Sequence, residues 1–272
     1  MTKLTWGNSG ERFYELGVDR GVLYVEGLDG VVWNGLISVS ESPTGGEAQP
    51  YYIDGYKYLN VASAEEFEAT IEAYSSPEEF DRCDGLDSIH NGLFISQQPR
   101  ESFGFSYRTK IGNDVDGMEH GYKIHLVYNA LASPPERSNT SLSDDIEPII
   151  FSWDITTLPP YTSDYAPSAH FIIDSRKTPL ELLTEIESML YGTDNTSPYL
   201  PSAYELNNLY VGYTHIELIA EIGSDTEGYT YTNELVRVHK AINPPDLKTG
   251  EERMWLDTSG GDFAVLKLVV GD

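Results

Sequence analysis

The chain of 272 residues sets 44 Asp plus Glu against 17 Lys plus Arg, a net charge of −27. Hydrophobic residues still make up 40% and aromatic residues 12%, which excludes acidic disorder, a class of low hydrophobicity and few aromatics. The sign of the charge excludes a protein that grips phosphates. Cys83 is the single cysteine, so an intrachain disulfide and a thiolate metal cluster are excluded too.

No stretch approaches 18 consecutive apolar residues, so no transmembrane helix and no membrane anchor are expected. Residues 1–13 lack the basic-then-apolar run of a secretion signal. The length accommodates one large domain or two modest ones.

In chain order, Val22–Val25 and Val31–Trp33 flank Gly27-Leu28-Asp29-Gly30, which predicts a hairpin. Residues 40–50 read as a long polar loop. Ser63 with Glu66 forms a capping box, Phe67, Ile71 and Tyr74 recur on one face, and Pro77 is a plausible stop. That pattern predicts a first helix. Phe103, Phe105 and Tyr107 alternate with smaller or polar residues, as do Tyr122, Ile124, Leu126 and Tyr128. With turn formers at 111–117 between them, 103–128 reads as an antiparallel hairpin.

Strands are expected at 149–155 and 169–174. A second helix starts at Thr178 with Pro179 at its first position and Glu181 closing a box. Its stripe is Leu182, Leu183, Ile186, Met189 and Leu190, and Gly192 fits the C-terminal cap. Further strands are expected at 211–222, 229–238 and 263–270, the last apolar on both faces and so central in a sheet. Long polar linkers fall at 40–50, 133–148, 156–168 and 192–202. The expected organisation is a single domain over 1–272, with 200–272 as a possible smaller subregion. With few helices and no strand–helix alternation, a mainly antiparallel sandwich or partly closed barrel fits, and a doubly wound parallel sheet does not.

No catalytic constellation emerges. There is no P-loop, nucleophile elbow or HExxH. The six histidines, His90, His120, His125, His170, His215 and His239, read as surface or hydrogen-bonded core residues. Asn113-Asp114-Val115-Asp116-Gly117 lacks the twelfth-position Glu of a calcium loop and reads as a hairpin turn using Asn and Asp side chains. Cys83, beside Asp81 and Asp84, is expected to be an inert thiol, because neighbouring carboxylates disfavour a thiolate. Gly45-Gly46 reads as a flexible turn. No catalytic, cofactor or metal site is expected. The acidic run Glu65, Glu66, Glu68, Glu72, Glu78, Glu79, Asp81 and Asp84 reads either as a solvated helix face or as a patch that sets the potential of an assembled surface.

Several stretches read together as one family. They include Trp6-Gly7, the run from Glu11 to Tyr24, Val32-Trp33-Asn34-Gly35-Leu36, and Tyr52-Ile53-Asp54-Gly55-Tyr56-Lys57-Tyr58-Leu59-Asn60. The run Glu65 to Tyr74, Cys83-Asp84-Gly85, Phe103 to Thr109, Gly112-Asn113-Asp114 and His120 to Asn129 continue it. Over about residues 6–191 the chain resembles the major tail protein, or tail tube protein, of long non-contractile-tailed bacteriophages of actinobacterial hosts.

The resemblance implies a mainly β fold, an antiparallel β-sandwich or rolled β-barrel with a flanking α-helix and long assembly loops. It implies a structural subunit with no active site and no cofactor, in stacked homo-hexameric rings around an acidic channel that conducts DNA without specific binding. Tail terminator, tape measure and distal tail proteins would be its neighbours. It would be made in the bacterial host cytoplasm and end in the virion tail tube. The assembly loop is expected at Ser40, Glu41, Ser42, Pro43, Thr44, Gly45, Gly46, Glu47, Ala48, Gln49 and Pro50, with the N-terminal arm 1–12 as a second candidate. A tail terminator or other structural virion protein, and a secreted carbohydrate-active enzyme or carbohydrate-binding module, remain the alternatives.

Overall fold

The computed structural model describes residues 4–135, 137–139, 141, 148–161, 165–212, 239–241, 252–257 and 265–270. The chain divides into two compact units, Met1–Ala203 and Tyr204–Asp272.

The first unit is built on an eight-stranded antiparallel sheet. Strand β1 (Tyr14–Val25) is bordered by the short β2 (Val31–Val32), with Val22 opposite Val32, which is the expected hairpin. Strand β3 (Leu36–Glu41) lies at the far end of the same sheet. Next come β4 (Thr44–Gly45), β5 (Ala48–Ile53), β6 (Tyr56–Ala62) and β7 (Glu65–Glu66), which pair among themselves. The chain then rejoins the main sheet at β8 (Glu68–Ala73). After a 3-10 turn at Glu78–Arg82 come the small hairpin β9 (Asp87–His90) and β10 (Leu93–Ile95). The central strands are β11 (Phe103–Asn113) and β12 (Gly117–Ala132), followed by β13 (Phe151–Thr157) and β14 (His170–Asp174).

The hydrogen-bonded order is β2-β1-β11-β12-β13-β8-β3, and β14 pairs with β12. Its end strands β2 and β3 do not pair with each other among the described residues, so the sheet curls without closing as a barrel. Two bulges bend β1, one on each side of Asp19. Gly17 (φ 67°) and Arg20 (φ 49°) occupy the left-handed region there, a conformation that bulges exploit.

Alternation along the strands separates two apolar layers. Leu23, Val25, Phe105, Tyr107, Val127, Trp153 and Ile155 point into one core together with Trp33 and Phe80. The rings interlock, with Trp33 tilted against Phe80 at 4.7 Å and edge-on to Trp153 at 5.7 Å. Helix α1 (Leu180–Tyr191) carries the second apolar layer, burying Leu182, Leu183, Ile186 and Leu190. There Tyr24 donates to the Leu190 carbonyl at 2.8 Å.

The expected second helix forms, ending at Gly192 with φ 76°. It begins at Leu180, directly after Pro179, which stands at the N-cap rather than at the first helical position. The first expected helix does not form. Residues 68–73 are strand β8, flanked by β13 and β3. Ala69, Ile71 and Ala73 are buried while Glu68, Thr70 and Glu72 face the other way, a period of two. Ser63 accepts a bond from the Gly46 amide at 3.2 Å instead of capping a helix. Local capping chemistry loses here to strand pairing on both sides, since propensity is a weak prior against tertiary context.

Helix α2 (Ala203–Gly212) starts at the last residue of the first unit, and β15 (His239–Ala241), β16 (Glu252–Asp257) and β17 (Val265–Val270) follow in the second. Among the described residues, strand β17 pairs only with β16 and so lies at an edge of that three-stranded sheet, where a central strand is expected from its sequence. Of the expected strand 211–222, residues 211 and 212 end helix α2, and the rest lies outside the described residues, as does 229–238. No helix among the described residues is long and apolar enough to cross a membrane.

Candidate assembly surfaces

The segment 40–50, expected as a loop, is mostly strand. Glu41 ends β3, Thr44-Gly45 pair with Glu65-Glu66 across the neck of an arm, and Ala48–Pro50 open its blade. Gly45 has φ 82°, and a Cβ there would meet the Ala64 carbonyl oxygen at 2.3 Å. The two-strand crossing at the neck therefore requires a glycine, where a merely flexible turn had been expected. The blade turns at Asp54-Gly55, both with positive φ. That is the signature of the tight two-residue turn that matches strand twist.

Every residue of β5 and β6 is exposed. Tyr51 stands opposite Leu59, and Gln49 opposite Val61, on one face. Tyr52, Tyr56 and Tyr58 are also exposed, Tyr56 to 80%. A lone two-stranded hairpin is at best marginal in water, and a contiguous exposed apolar surface marks an interaction site. The Asp54-Gly55 pair flanked by Tyr52-Ile53 and Tyr56 is the sequence signal for this arm.

A second exposed hairpin, β9–β10, presents Ile89, Leu93, Phe94 and Ile95 around Asn91-Gly92. The described part of the N-terminal arm leaves Leu4 and Trp6 exposed. It is fastened at its base, where the Gly10 and Arg12 amides donate to Asp114 at 3.0 and 3.4 Å. The neighbouring turn is held by Asn113, whose Oδ1 accepts from the amides of Val115 and Asp116 at 3.0 and 2.5 Å, so the run 113–117 is the Asx-type turn expected.

The acidic residues separate by environment. Glu65 and Glu66 are exposed at the neck of the arm. Glu68 and Glu72 stand on the outward face of β8, accepting from Thr44 at 3.1 Å and from Ser38 at 2.8 Å. Asp154 on β13 joins them, held by Thr70 at 2.6 Å. Facing residues Ser38, Ser40, Ser152 and Thr156 complete a band of hydroxyls and carboxylates across β3, β8 and β13 that contains no Lys or Arg. Glu78, Glu79 and Asp81 lie on the 3-10 turn. Burial, then the nearby Asp84 and Glu78, push the Asp81 carboxyl up from its ordinary value.

Asp84 does not belong to the surface. It is buried and paired with Arg100 at 3.2 Å and with Arg137, because a carboxylate taken out of water needs cationic partners. Cys83 is fully buried, and burial, more than the neighbouring charges, raises its thiol to about 12. On the α1 side of the sheet, Arg108 makes a two-point ion pair with Asp19, both bonds at 2.7 Å, and its guanidinium lies 4.8 Å over the Tyr122 ring. That pair holds the Asp19 carboxyl below the usual range.

One cluster of ligating side chains was not legible in the sequence. Glu41 at the end of β3, His125 on β12 and His170 on β14 present atoms that all lie within 4.8 Å of one another. His125 Nδ1 is 3.1 Å from His170 Nε2 and 3.5 Å from Glu41 Oε1. Tyr107 donates to Glu41 Oε1 at 2.7 Å, and Thr109 Oγ1 lies 3.1 Å from His125 Nε2. Burial, then the neighbouring His170, lower the His125 imidazole to about 4, so it is neutral near pH 7. The register places Val127 opposite His170, which makes His125 and His170 diagonal neighbours on one face.

No family model matches the chain, and no curated protein does. Among solved structures it is similar to a chain of the sheath–tube complex of an extracellular contractile injection system, PVC, in the extended state. That match has 14% identity and a TM-score of 0.32, over 62% of this chain and 93% of the other. A chain of the anti-feeding prophage cap, the AFP tube terminating cap, matches at 9% identity and a TM-score of 0.33, over 64% and 97%. A chain of the PVC sheath/tube terminator matches at 13% and 0.32, over 63% and 99%. With scores at this level, the functional reading rests on the chain's own residues.

Proposed function

We propose that the chain is a structural subunit of a phage tail tube of the long non-contractile kind, polymerising as stacked hexameric rings around a channel that conducts DNA. The observation that carries this reading is the β4–β7 arm. It is a paired, register-fixed hairpin with exposed aromatic residues and no core of its own beneath the blade. In a lone subunit such an arm is a liability, and a second copy of the same chain supplies the surface that covers it. The resemblance over residues 6–191 names the same kind of assembly, with terminator, tape measure and distal tail proteins as neighbours in the virion tail.

The hydroxyl and carboxylate band of β3, β8 and β13 is the surface we assign to the channel. A wall without cations offers duplex DNA no phosphate contacts, so the polymer slides rather than sticks. The same carboxylates repel one another between subunits, and apolar burial by the arms opposes that repulsion.

The test replaces residues 48–62 with a two-glycine link. Glu47 and Ser63 are already drawn together, since the Gly46 amide bonds Ser63 at the neck. The shortened chain is expected to keep its circular dichroism and melting temperature and to stay monomeric in negative-stain microscopy, while the full chain forms tubes. Tubes of normal diameter from the shortened chain would refute the role of the arm. A full chain that stays monomeric at all concentrations and salt levels would refute the tube itself.

A further inference from the structure

We propose that Glu41, His125 and His170 form a binding site for one divalent transition-metal ion of the kind that imidazole favours, with zinc as the representative. The site is independent of the assembly reading, because every ligand comes from a single chain.

Geometry is the first argument. Zinc binds imidazole nitrogen and carboxylate oxygen at about 2.0–2.2 Å, so neighbouring ligand atoms around a tetrahedral ion lie about 3.3 Å apart. The separations of His125 Nδ1 from His170 Nε2 and from Glu41 Oε1, 3.1 and 3.5 Å, bracket that value, and the third pair is wider, with His170 Nδ1 at 4.0 Å from Glu41 Oε2. Two imidazoles and one carboxylate make three protein ligands, which leaves a fourth position for water.

The supporting shell is the second argument. Ligating histidines characteristically give their other ring nitrogen to a hydrogen-bond acceptor, and ligating carboxylates are themselves held. His125 has Thr109 Oγ1 at 3.1 Å from Nε2, a hydroxyl that can accept from that nitrogen when Nδ1, the atom that faces His170 and Glu41, carries the lone pair. Tyr107 holds Glu41 Oε1 and stacks on the His125 ring at 4.5 Å, 6° from parallel. Phe67 lies 4.3 Å from the His170 ring. The ligands are thus pinned before an ion arrives.

Access and consequence follow from burial. The imidazoles are nearly enclosed, at 6% and 11% side-chain exposure, whereas Glu41 is 38% exposed and forms the mouth. Glu41 is also the last residue of β3 before the arm. An ion here ties the root of the arm to the opposite part of the sheet, β12 and β14, which are not adjacent to β3 in the hydrogen-bonded order.

The experiment separates this site from diffuse binding by 44 acidic residues. Hard cations take carboxylate oxygen, while imidazole selects zinc, copper or nickel. The full chain, stripped by a chelator, is titrated calorimetrically with zinc in a large excess of magnesium near neutral pH. One zinc per chain is expected, with a raised melting temperature. His170→Gln is expected to abolish the binding, and Tyr107→Phe to weaken it about tenfold, the low end for a supporting partner. Nuclear magnetic resonance of the unaltered chain gives a readout that needs no variant: the ring nitrogens of His125 and His170 shift on adding zinc, and those of His90 and His120 do not. Absence of zinc binding above the magnesium background, or binding that leaves the His125 and His170 resonances unmoved, overturns the proposal.

Discussion

Strand β8 offers a sharp test, because the helix that local signals predict and the strand that forms bury different residues. In a helix facing inward through Phe67, Ile71 and Tyr74, Ala69 points away from the core. In the strand, Ala69 is 2% exposed and Ile71 is 0% exposed, both within the Trp33–Trp153 cluster. Ile71→Ala removes groups worth about 0.8 kcal/mol per methylene, and the cavity left behind brings the loss to about 3–4 kcal/mol. For a unit of this size each kcal/mol lowers the melting temperature by about 2–4 °C, so a fall of roughly 6–16 °C is expected. Ala69→Glu places an unpaired carboxylate in the same core and is expected to prevent folding or cost at least as much. Glu72→Ala, on the outward face, removes one bond from Ser38 and is expected to shift stability by about 1 kcal/mol or less. Thermal melts by circular dichroism rank the three. If Ala69→Glu melts with the unaltered chain, the strand assignment of 68–73 and the core built on it are wrong.

Three further outcomes are expected. Tube formation followed by light scattering should accelerate from low to moderate salt, because like charges are screened within about 10 Å at 0.1 M; a rate indifferent to ionic strength would remove repulsion as the barrier. The Asp19 carboxyl has a lowered pKa in the fold, so its pairing with Arg108 contributes fully above the ordinary carboxylate value and is lost as pH falls through the lower folded one. Asp19→Asn should therefore flatten the stability loss below about pH 4, and an unchanged acid limb in denaturant titrations would show that the pair carries no such linkage. Assembled tubes should not bind duplex DNA in low-salt anisotropy titrations, given the cation-free band on β3, β8 and β13; salt-sensitive micromolar binding would place a basic surface in the channel instead.

Local information was enough for part of this molecule. The alternation at 103–128 fixed a hairpin whose register runs Phe103↔Ala130 to Asn113↔Gly117, and the stripe at 182–190 fixed α1. Both are self-contained, since the residues that define the pattern also make the contacts. The Asp54-Gly55 turn was equally local, yet its meaning as an arm was not, because exposure depends on what the rest of the chain leaves uncovered. Segment 63–74 carried two patterns at once, a capping box with helical spacing and an alternation through Ala69, Ile71 and Ala73. Small alanines hide an alternation from any reading weighted by large apolar residues.

The sequence by itself determined the strong acidity, the single thiol, the central hairpin and the helix at 180–191, because each follows from composition or from neighbours a few residues apart. Only the tertiary structure decided that 68–73 is a strand, that Asp84 is enclosed by Arg100 and Arg137, and that Glu41, His125 and His170 converge. Those outcomes depend on strand pairings and ion pairs between positions tens of residues apart. Their free energy exists only once the chain has folded, so no local propensity carries a trace of it.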